Sequence, residues 1–248
     1  MNEYTEVFYG HITRMLDDIY RGEDKKITEV SAAMARCIMN GGNVFVFGPG
    51  HAGIITEDFF YRAGGLAVIN PLFNPCLAPT IRPITLSTDT EVLPGFATNV
   101  LKESPLKAGD FLLIHSVAAR NPIVVEMAIK AREMGILVGA IISEKFAHSV
   151  TSKDPSGKML YEVVDENLII DNHGDIGDSC IDIGMRQKAV STSSITGTFI
   201  VANIVLNICK MLQENHVEPP VFASSNIDGG AEINDRLLKE YKDHIFYM

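Results

Sequence analysis

The chain has 248 residues, of which 46% are hydrophobic and 21% are charged, a composition typical of a globular protein that buries a large core. Its 31 acidic and 21 basic residues give a formal net charge of -10 without an evident cluster of Lys and Arg, so we expect no nucleic-acid partner. No uninterrupted apolar run reaches the roughly 20 residues that cross a bilayer, and the polar N-terminal segment does not resemble a signal peptide, which predicts a cytoplasmic protein with no membrane partner.

The apolar pattern alternates between long helical stretches and short continuous runs. Helical spacing predicts helices at residues 4–20, 25–39, 52–63, 90–102, 121–134, 193–212 and 231–244. Short apolar runs predict strands at residues 43–47, 66–69, 111–114, 136–142 and 168–170. Strands that alternate with helices are typical of a doubly wound α/β fold with a mostly parallel sheet. We predict three segments: helices at 1–42, the sheet domain at 43–213, and a C-terminal tail and helix at 214–248.

The loop after the first strand contains the stretch GPGHAG, Gly48 to Gly53, in a G-x-G-x-x-G pattern. Glycines let a backbone turn sharply beside a ligand, and a helix N-terminus favours an anion. A nicotinamide site also needs an acidic residue at the end of the second strand, where this chain has Asn70 and Pro71. We therefore expect no dinucleotide and no other cofactor, and a nucleotide-dependent oxidoreductase is the weakest functional alternative.

Two later loops place hydroxyl groups in front of helices. Ser116 follows the third strand, and Asn121 and Pro122 suit the N-cap and first turn of the next helix. A run of four hydroxyl residues precedes the long apolar helix at 193–212: Ser191, Thr192, Ser193 and Ser194. Each run alone is consistent with helix capping, but three anion-suited loops at one end of a sheet favour a phosphate site.

The order of these motifs resembles the SIS (sugar isomerase) domain. More closely, the segments FYRAGG, RNP, PSGKMLYEV, DNHGD and EPPVFASSNIDGGAEIN are similar to the UPF0309 branch of that family, which is related to phosphoheptose isomerases. The resemblance covers nearly the whole chain. It implies a flavodoxin-like, five-stranded parallel sheet, a homodimer or larger homo-oligomer, and a phosphorylated sugar or amino sugar bound at the strand ends.

Carried over by position, the resemblance implies a set of ligand residues. The phosphate would be held by Ser116, Ser191, Thr192, Ser193 and Thr196. The sugar side would be lined by Gly50 and His51, and the further candidates are Arg120, Asn121 and Asp228. The branch usually has Ser-x-Ser-Gly before RNP, where this chain has Ser-Val-Ala-Ala at 116–119. Losing one hydrogen bond to a charged ligand group costs about 1.5 to 3 kcal/mol, so the change predicts weaker phosphate binding.

Isomerisation of an aldose to a ketose needs a base that moves a proton between adjacent carbons. Glu57, on the helix after GPGH, is the predicted base, and His51 or His148 is the predicted helper. The resemblance places the glutamate base of phosphoheptose isomerases at positions 61 and 62, which are Tyr and Arg here, and their late-helix histidine has no counterpart. A non-catalytic sugar-phosphate sensor or regulatory protein is therefore the second hypothesis.

Several of these residues also have purely structural interpretations. Glu57 can complement a helix dipole, and His148 can be a surface histidine. A metal site can be drawn from Asp171, His173, Asp175 and Asp178, but nothing in their spacing defines its geometry, and we predict no metal. The proline-stiffened stretch at 218–232 either docks the last helix or reaches a pocket, with Asp228 as a sugar-hydroxyl ligand.

Overall fold

A computed structural model describes residues 2–248, and its elements follow the predicted alternation. The strands are β1 (Val44–Phe47), β2 (Ile69–Pro71), β3 (Phe111–His115), β4 (Leu137–Ile142) and β5 (Ile169–Asp171). The helices are α1 (Glu3–Gly22), α2 (Asp24–Met39), α3 (Gly53–Phe59), α4 (Thr85–Glu91), α5 (Phe96–Lys102), α6 (Pro122–Glu133), α7 (Glu144–Ala147), α8 (Ser193–Glu214) and α9 (Gly230–Glu240). Short 3-10 turns lie at Gly50–Ala52, Pro75–Leu77, Leu160–Glu162, Glu166–Leu168 and Lys242–His244.

Within the described residues, the five strands form one sheet in the order β2-β1-β3-β4-β5, and every pair is parallel. All residues of β1 and β3 are buried, because helices cover both faces of the sheet. The predicted flavodoxin-like α/β fold is confirmed. The chain leaves β1 toward β2 on one side and returns to β3 on the other, so the loops after β1 and β3 flank the switch point where such folds bind ligands.

The core joins the first two helices and α8 to the sheet. Ile19 of α1, Met34 of α2 and Ile204 of α8 are fully buried in the same cluster as the strands. Helix α8 is long and apolar enough to cross a membrane by length and composition, which counting uninterrupted apolar runs did not reveal. Its buried face packs on α2 as a core helix does, and the cytoplasmic location stays a prediction.

Four predicted elements differ from those observed. The predicted helix at 231–244 ends at Glu240, before the 3-10 turn at Lys242–His244. The predicted helix at 52–63 ends at Phe59, because Tyr61 and Gly64 turn the chain with positive φ values of 41° and 82°. The predicted helix at 90–102 is two helices, since Pro94 precedes Gly95, whose φ is 84°. The second strand starts at Ile69 and not at residue 66.

The C-terminal tail packs along the β2 side of the sheet. Leu66 forms an isolated antiparallel bridge with Val221, which is why β2 starts later than predicted. The side-chain amide of Asn70 in β2 donates to the carbonyl of His244 (3.0 Å) and accepts from the N–H of Phe246 (2.8 Å). A second small core contains Ala67, Phe222, Leu237 and Ile245. These contacts are those of a tail that docks the last helix on the sheet domain.

Candidate functional site

The turn after β1 is tight because three glycines allow close backbone approach. A Cβ atom on Gly48 would lie 2.4 Å from the carbonyl oxygen of Ala52, and one on Gly53 would lie 2.9 Å from the carbonyl oxygen of Gly48. Gly50 has a φ of 55°, and a Cβ there would lie 2.7 Å from a carboxylate oxygen of Glu91. The glycine pattern therefore serves a compact turn that rests against an acidic side chain.

Glu91, at the end of α4, is a candidate residue that sequence reasoning missed. Its carboxylate accepts a hydrogen bond from the side-chain amide of Asn121 (2.8 Å). Burial raises the pKa of the Glu91 carboxyl above its ordinary value of 4.5, although the Asn121 hydrogen bond and the charges of Lys153 and His51 oppose that rise. A partly buried carboxyl of this kind binds a proton more readily than an exposed glutamate does. Only the fold, which brings Asn121 and Gly50 to it, distinguishes Glu91 from other acidic residues.

A cavity of about 300 Å³ opens beside the Gly50 turn, and we call it the Gly50 cavity. Its walls are Phe47, Gly48, Gly50, Gly53, Glu57, Leu72, Phe73, Asn74, Pro75, Leu77, Ala78, Pro79 and Thr80. The predicted base Glu57 is exposed on α3 and lines this cavity together with the predicted ligand residue Gly50. The neighbouring acid Asp58 is instead paired with Arg62.

The two predicted helper histidines lie in different places. His51 is exposed on the Gly50 turn, and its charge acts on Glu91. His148 follows α7 and lies with its ring centroid 4.6 Å from that of Tyr161. It lines a separate cavity of about 400 Å³ that includes Lys26 and Glu166. Of the two histidines, only His51 lies on the Gly50 turn, and His148 lies at a separate cavity.

The loop after β3 contains three more predicted ligand residues. Ser116 is half-buried, and its backbone N–H donates to the carbonyl of Ile141 (3.0 Å). Arg120 is also half-buried, and its Nε atom has no hydrogen-bond partner among residues 2–248. Asn121 occupies the N-cap position of α6, as predicted, but its side chain turns to Glu91. The Ser116 loop therefore reaches the Gly50 turn through Asn121 and Glu91.

His115, the last residue of β3, connects this loop to the Gly50 turn. Its Nδ1 atom lies 3.0 Å from the carbonyl oxygen of Ala52, and the residue is only 3% exposed. Within the described part of the chain, its Nε2 atom has no hydrogen-bond partner. Burial lowers the pKa of His115 below 6.5, which favours the neutral imidazole, while the nearby Asp178 carboxylate acts in the opposite direction.

The hydroxyl run at the start of α8 already holds an anion, the carboxylate of Asp178. It accepts hydrogen bonds from the backbone N–H groups of Thr192 (3.2 Å) and Ser193 (3.0 Å) and from the Ser193 hydroxyl (2.5 Å). Ser191 is exposed, and the buried Thr196 hydroxyl donates back to the carbonyl of Thr192 (3.2 Å). Thr192 and Ser193 therefore form the anion cradle of this helix, and Thr196 bonds within it.

The remaining predicted residues lie elsewhere in the chain. Asp228 is exposed in the tail, before α9, and lines neither the Gly50 cavity nor the α8 cradle within the described residues. Two of the residues considered for a metal face other partners: His173 faces Glu23 (3.4 Å) and Asp175 faces His11 (3.3 Å). No group of three or more potential metal ligands occurs among residues 2–248.

Comparison with known proteins agrees with the fold and the motifs. The family model described as SIS domain matches residues 7–143, more than half of the chain. A UPF0309 protein of Shouchella clausii is 42% identical over 246 residues and covers 99% of both chains.

Two solved structures share the fold at low sequence identity. A phosphoheptose isomerase from Francisella tularensis has a TM-score of 0.55 at 16% identity and covers 85% of this chain and 100% of its own. A phosphoheptose isomerase from Neisseria gonorrhoeae has a TM-score of 0.53 at 15% identity, with 86% and 98% coverage. The fold, the motifs and the family match together place the chain in the SIS domain family, in its UPF0309 group.

Proposed function

We propose that the chain binds a phosphorylated sugar or amino sugar at the carboxyl ends of β1 and β3. The observation that carries this proposal is the Thr192–Ser193 cradle at the start of α8, which binds an oxyanion with two N–H groups and a hydroxyl. The further ligand candidates are Ser116, Arg120 and Asn121 in the loop after β3, and Ser191 and Thr196 beside the cradle. The Francisella relative in fold is a phosphoheptose isomerase, which supports this class of ligand.

The binding proposal is tested with Ser193→Ala. The variant loses a hydroxyl that donates to a charged group, a bond worth about 1.5 to 3 kcal/mol, so affinity for the phosphorylated sugar should fall roughly tenfold to hundredfold. Isothermal titration of a panel of pentose, hexose, heptose and N-acetylamino-sugar phosphates measures the change. Ser194→Ala, one position further along α8, is the matched control. Equal affinities of the two variants for the phosphorylated sugar would show that its phosphate does not bind in this cradle.

We further propose that the ligand is isomerised by proton transfer next to its carbonyl. Glu57, at the wall of the Gly50 cavity, takes the proton from the hydroxyl-bearing carbon, while the carbonyl oxygen gains a proton to give the enediol. The proton then returns to the former carbonyl carbon as the adjacent hydroxyl loses its own. We assign the exchange of the oxygen-bound protons to Glu91 and His51, because burial raises the pKa of Glu91 and His51 lies on the Gly50 turn that rests against Glu91.

Solvent deuterium tests the catalytic proposal. In heavy water the wild-type chain should incorporate label beside the carbonyl of the sugar phosphate that it binds. Glu57→Gln should lower the rate at least about 100-fold, the usual contribution of a positioned base. Asp89→Asn changes an exposed acid on α4 and is the matched control.

The second candidate function is a non-catalytic sugar-phosphate sensor. The Ser-Val-Ala-Ala sequence at 116–119 favours it, because the second hydroxyl and the glycine usual in the branch are absent there and Ala119 has a strained φ of 55°. A ligand that binds without any deuterium incorporation in wild-type protein would select this alternative.

We also propose that the chain assembles as a homodimer or larger homo-oligomer. The support is the exposed face of α8, where Ile195, Ala202 and Leu206 repeat at helical spacing. Ile195 is 42% exposed and Leu206 is 68% exposed, and Leu206 borders a groove of about 350 Å³ that reaches Arg62 of the neighbouring turn. Exposed apolar side chains that share one helix face are consistent with a subunit interface.

A further inference from the structure

Asp178 is held at the start of α8 by groups that an oxyanion of a ligand would use. Two backbone N–H groups and one hydroxyl donate to its carboxylate within 3.2 Å, and the Thr192 hydroxyl lies 3.4 Å away. The N-cap residue Thr192 makes no capping bond with its own side chain within residues 2–248, so the cap of this 22-residue helix comes from a separate loop. The carboxylate therefore takes the place that the proposed function gives to a phosphate.

The segment that carries Asp178 runs over the surface between β5 and α8. We call residues 174–190 the Asp178 loop. It is closed on itself by an antiparallel bridge between Ile181 and Ala189, and residues 182–188 are exposed. Asp178 and Val190 have left-handed backbones, with φ values of 51° and 66°, which non-glycine residues adopt at a cost. The loop therefore has its own internal structure, and the hydrogen bonds of the Asp178 carboxylate attach it to the start of α8.

The surroundings of Asp178 provide a second, independent indication that a ligand belongs here. His115 is only 3% exposed and is close enough for the Asp178 charge to act on it. Its Nε2 atom lacks a hydrogen-bond partner in the described part of the chain. A buried polar atom without a partner is costly. Because Nδ1 donates to the carbonyl of Ala52, Nε2 of the neutral imidazole is an acceptor, and a ligand hydroxyl that enters when Asp178 leaves would satisfy it.

We propose that the Asp178 loop is a displaceable plug, in which Asp178 competes with the phosphate of the ligand for the N-terminus of α8. The inference rests on the proposed phosphate site. Two anions cannot share one set of donors, because their like charges repel and each N–H group donates to one acceptor. Ligand binding therefore requires the loop to move away, and the loop sets the affinity of the site for anions.

The test uses the full chain and inorganic phosphate as the probe. Asp178→Ala should bind phosphate about tenfold or more tightly than wild type in isothermal titration, because the internal competitor is gone. Asp178→Asn keeps a neutral acceptor for the helix N–H groups, so it should fold if the alanine variant does not, and it should show an intermediate gain. Asp182→Ala changes an exposed acid of the same loop and should bind like wild type.

The possible outcomes distinguish the proposed competition by Asp178 from the proposed phosphate site. A gain in Asp178→Ala that disappears in the Asp178→Ala, Ser193→Ala double variant supports the plug at the α8 cradle. Equal phosphate affinities of wild type and both Asp178 variants, with Ser193→Ala weaker, overturn the plug and leave the proposed binding site intact. An absence of phosphate binding in every variant overturns both.

Discussion

Val190 combines a β-branched side chain with a left-handed backbone, a costly arrangement at the level of a single residue. Its φ is 66°, and its side chain is 50% exposed, so little burial offsets the strain. A left-handed conformation costs an L-residue about 1 to 2 kcal/mol, whereas glycine adopts it freely.

Val190→Gly should therefore stabilise the chain by about 0.5 to 1 kcal/mol after the extra unfolded-state entropy of glycine is subtracted. Urea denaturation measures the free energy of unfolding. Val7→Gly, at a 57% exposed position of helix α1, should destabilise by a similar amount because glycine is a poor helix former. Destabilisation by both substitutions would contradict the strain at Val190.

Glu91 has a stability consequence that is separate from its proposed chemistry. Burial raises the pKa of its carboxyl, so the folded chain binds a proton more readily than the unfolded chain does. The linkage makes stability fall as pH rises from 4.5, the ordinary value, through the raised folded value.

Glu91→Gln should consequently be more stable than wild type at pH 7, and the difference should shrink at pH 4. Thermal unfolding at the two pH values measures it. Glu57→Gln, at an exposed position, should show no such pH-dependent gain. A Glu91→Gln variant that is less stable at pH 7 would show that the Asn121 bond outweighs the cost of burying the charge.

At the scale of elements, a histidine joins the turn between α1 and α2 to the end of β5. The Nε2 atom of His173 lies 3.4 Å from Glu23, and its Nδ1 atom lies 3.7 Å from Asp171. The contact with the Glu23 carboxylate raises the pKa of His173 above 6.5, with further contributions from the charges of Asp171 and Asp18, against the effect of burial.

This junction should weaken in mild base. Because the folded pKa of His173 is raised, its stabilisation is fully present below pH 6.5 and is lost as pH rises through the folded value. His173→Gln should flatten the fall in urea midpoint between pH 6 and about pH 9, a pH window chosen to bracket the titration of histidine. His216→Asn, an exposed position after α8, should leave that fall unchanged.

The elements themselves were largely predictable, and the exceptions have physical causes. The runs that became β1, β3 and β4 are continuous and apolar, since strands covered on both faces need no polar side. The start of β2 was not predictable, because Leu66 pairs with Val221, which is 155 positions away in the chain.

The candidate site was predictable only where its signal is local. The hydroxyl run before α8 is visible in the sequence, and the fold places Thr192 and Ser193 at the helix N-terminus. Glu91 was missed, and Asp178 was considered only for a metal, because their roles depend on partners 30 and 15 positions away, Asn121 and Ser193. Nothing in the neighbouring residues distinguishes these two acids from those on the surface.

At the scale of the whole molecule, the apolar face of α8 predicts the assembly state. A charge at Leu206 would have to be buried in an interface formed by this face, which is costly without a partner. Leu206→Glu should therefore shift the chain toward a monomer in light scattering after size exclusion. Lys210→Glu, one turn further along α8, is the control. An unchanged molar mass for Leu206→Glu would place the interface elsewhere.

The contact between Asn70 and the tail has a consequence for chains that meet in solution. Strand β2 is an edge of the sheet, and an open edge is a template for strands of other molecules. One side-chain amide of β2 holds the tail beside that edge through the backbone of His244 and Phe246, and Phe246 stacks on Phe45 of β1. Loss of this fastening would therefore show first as self-association of chains whose helices are intact, and only afterwards as unfolding.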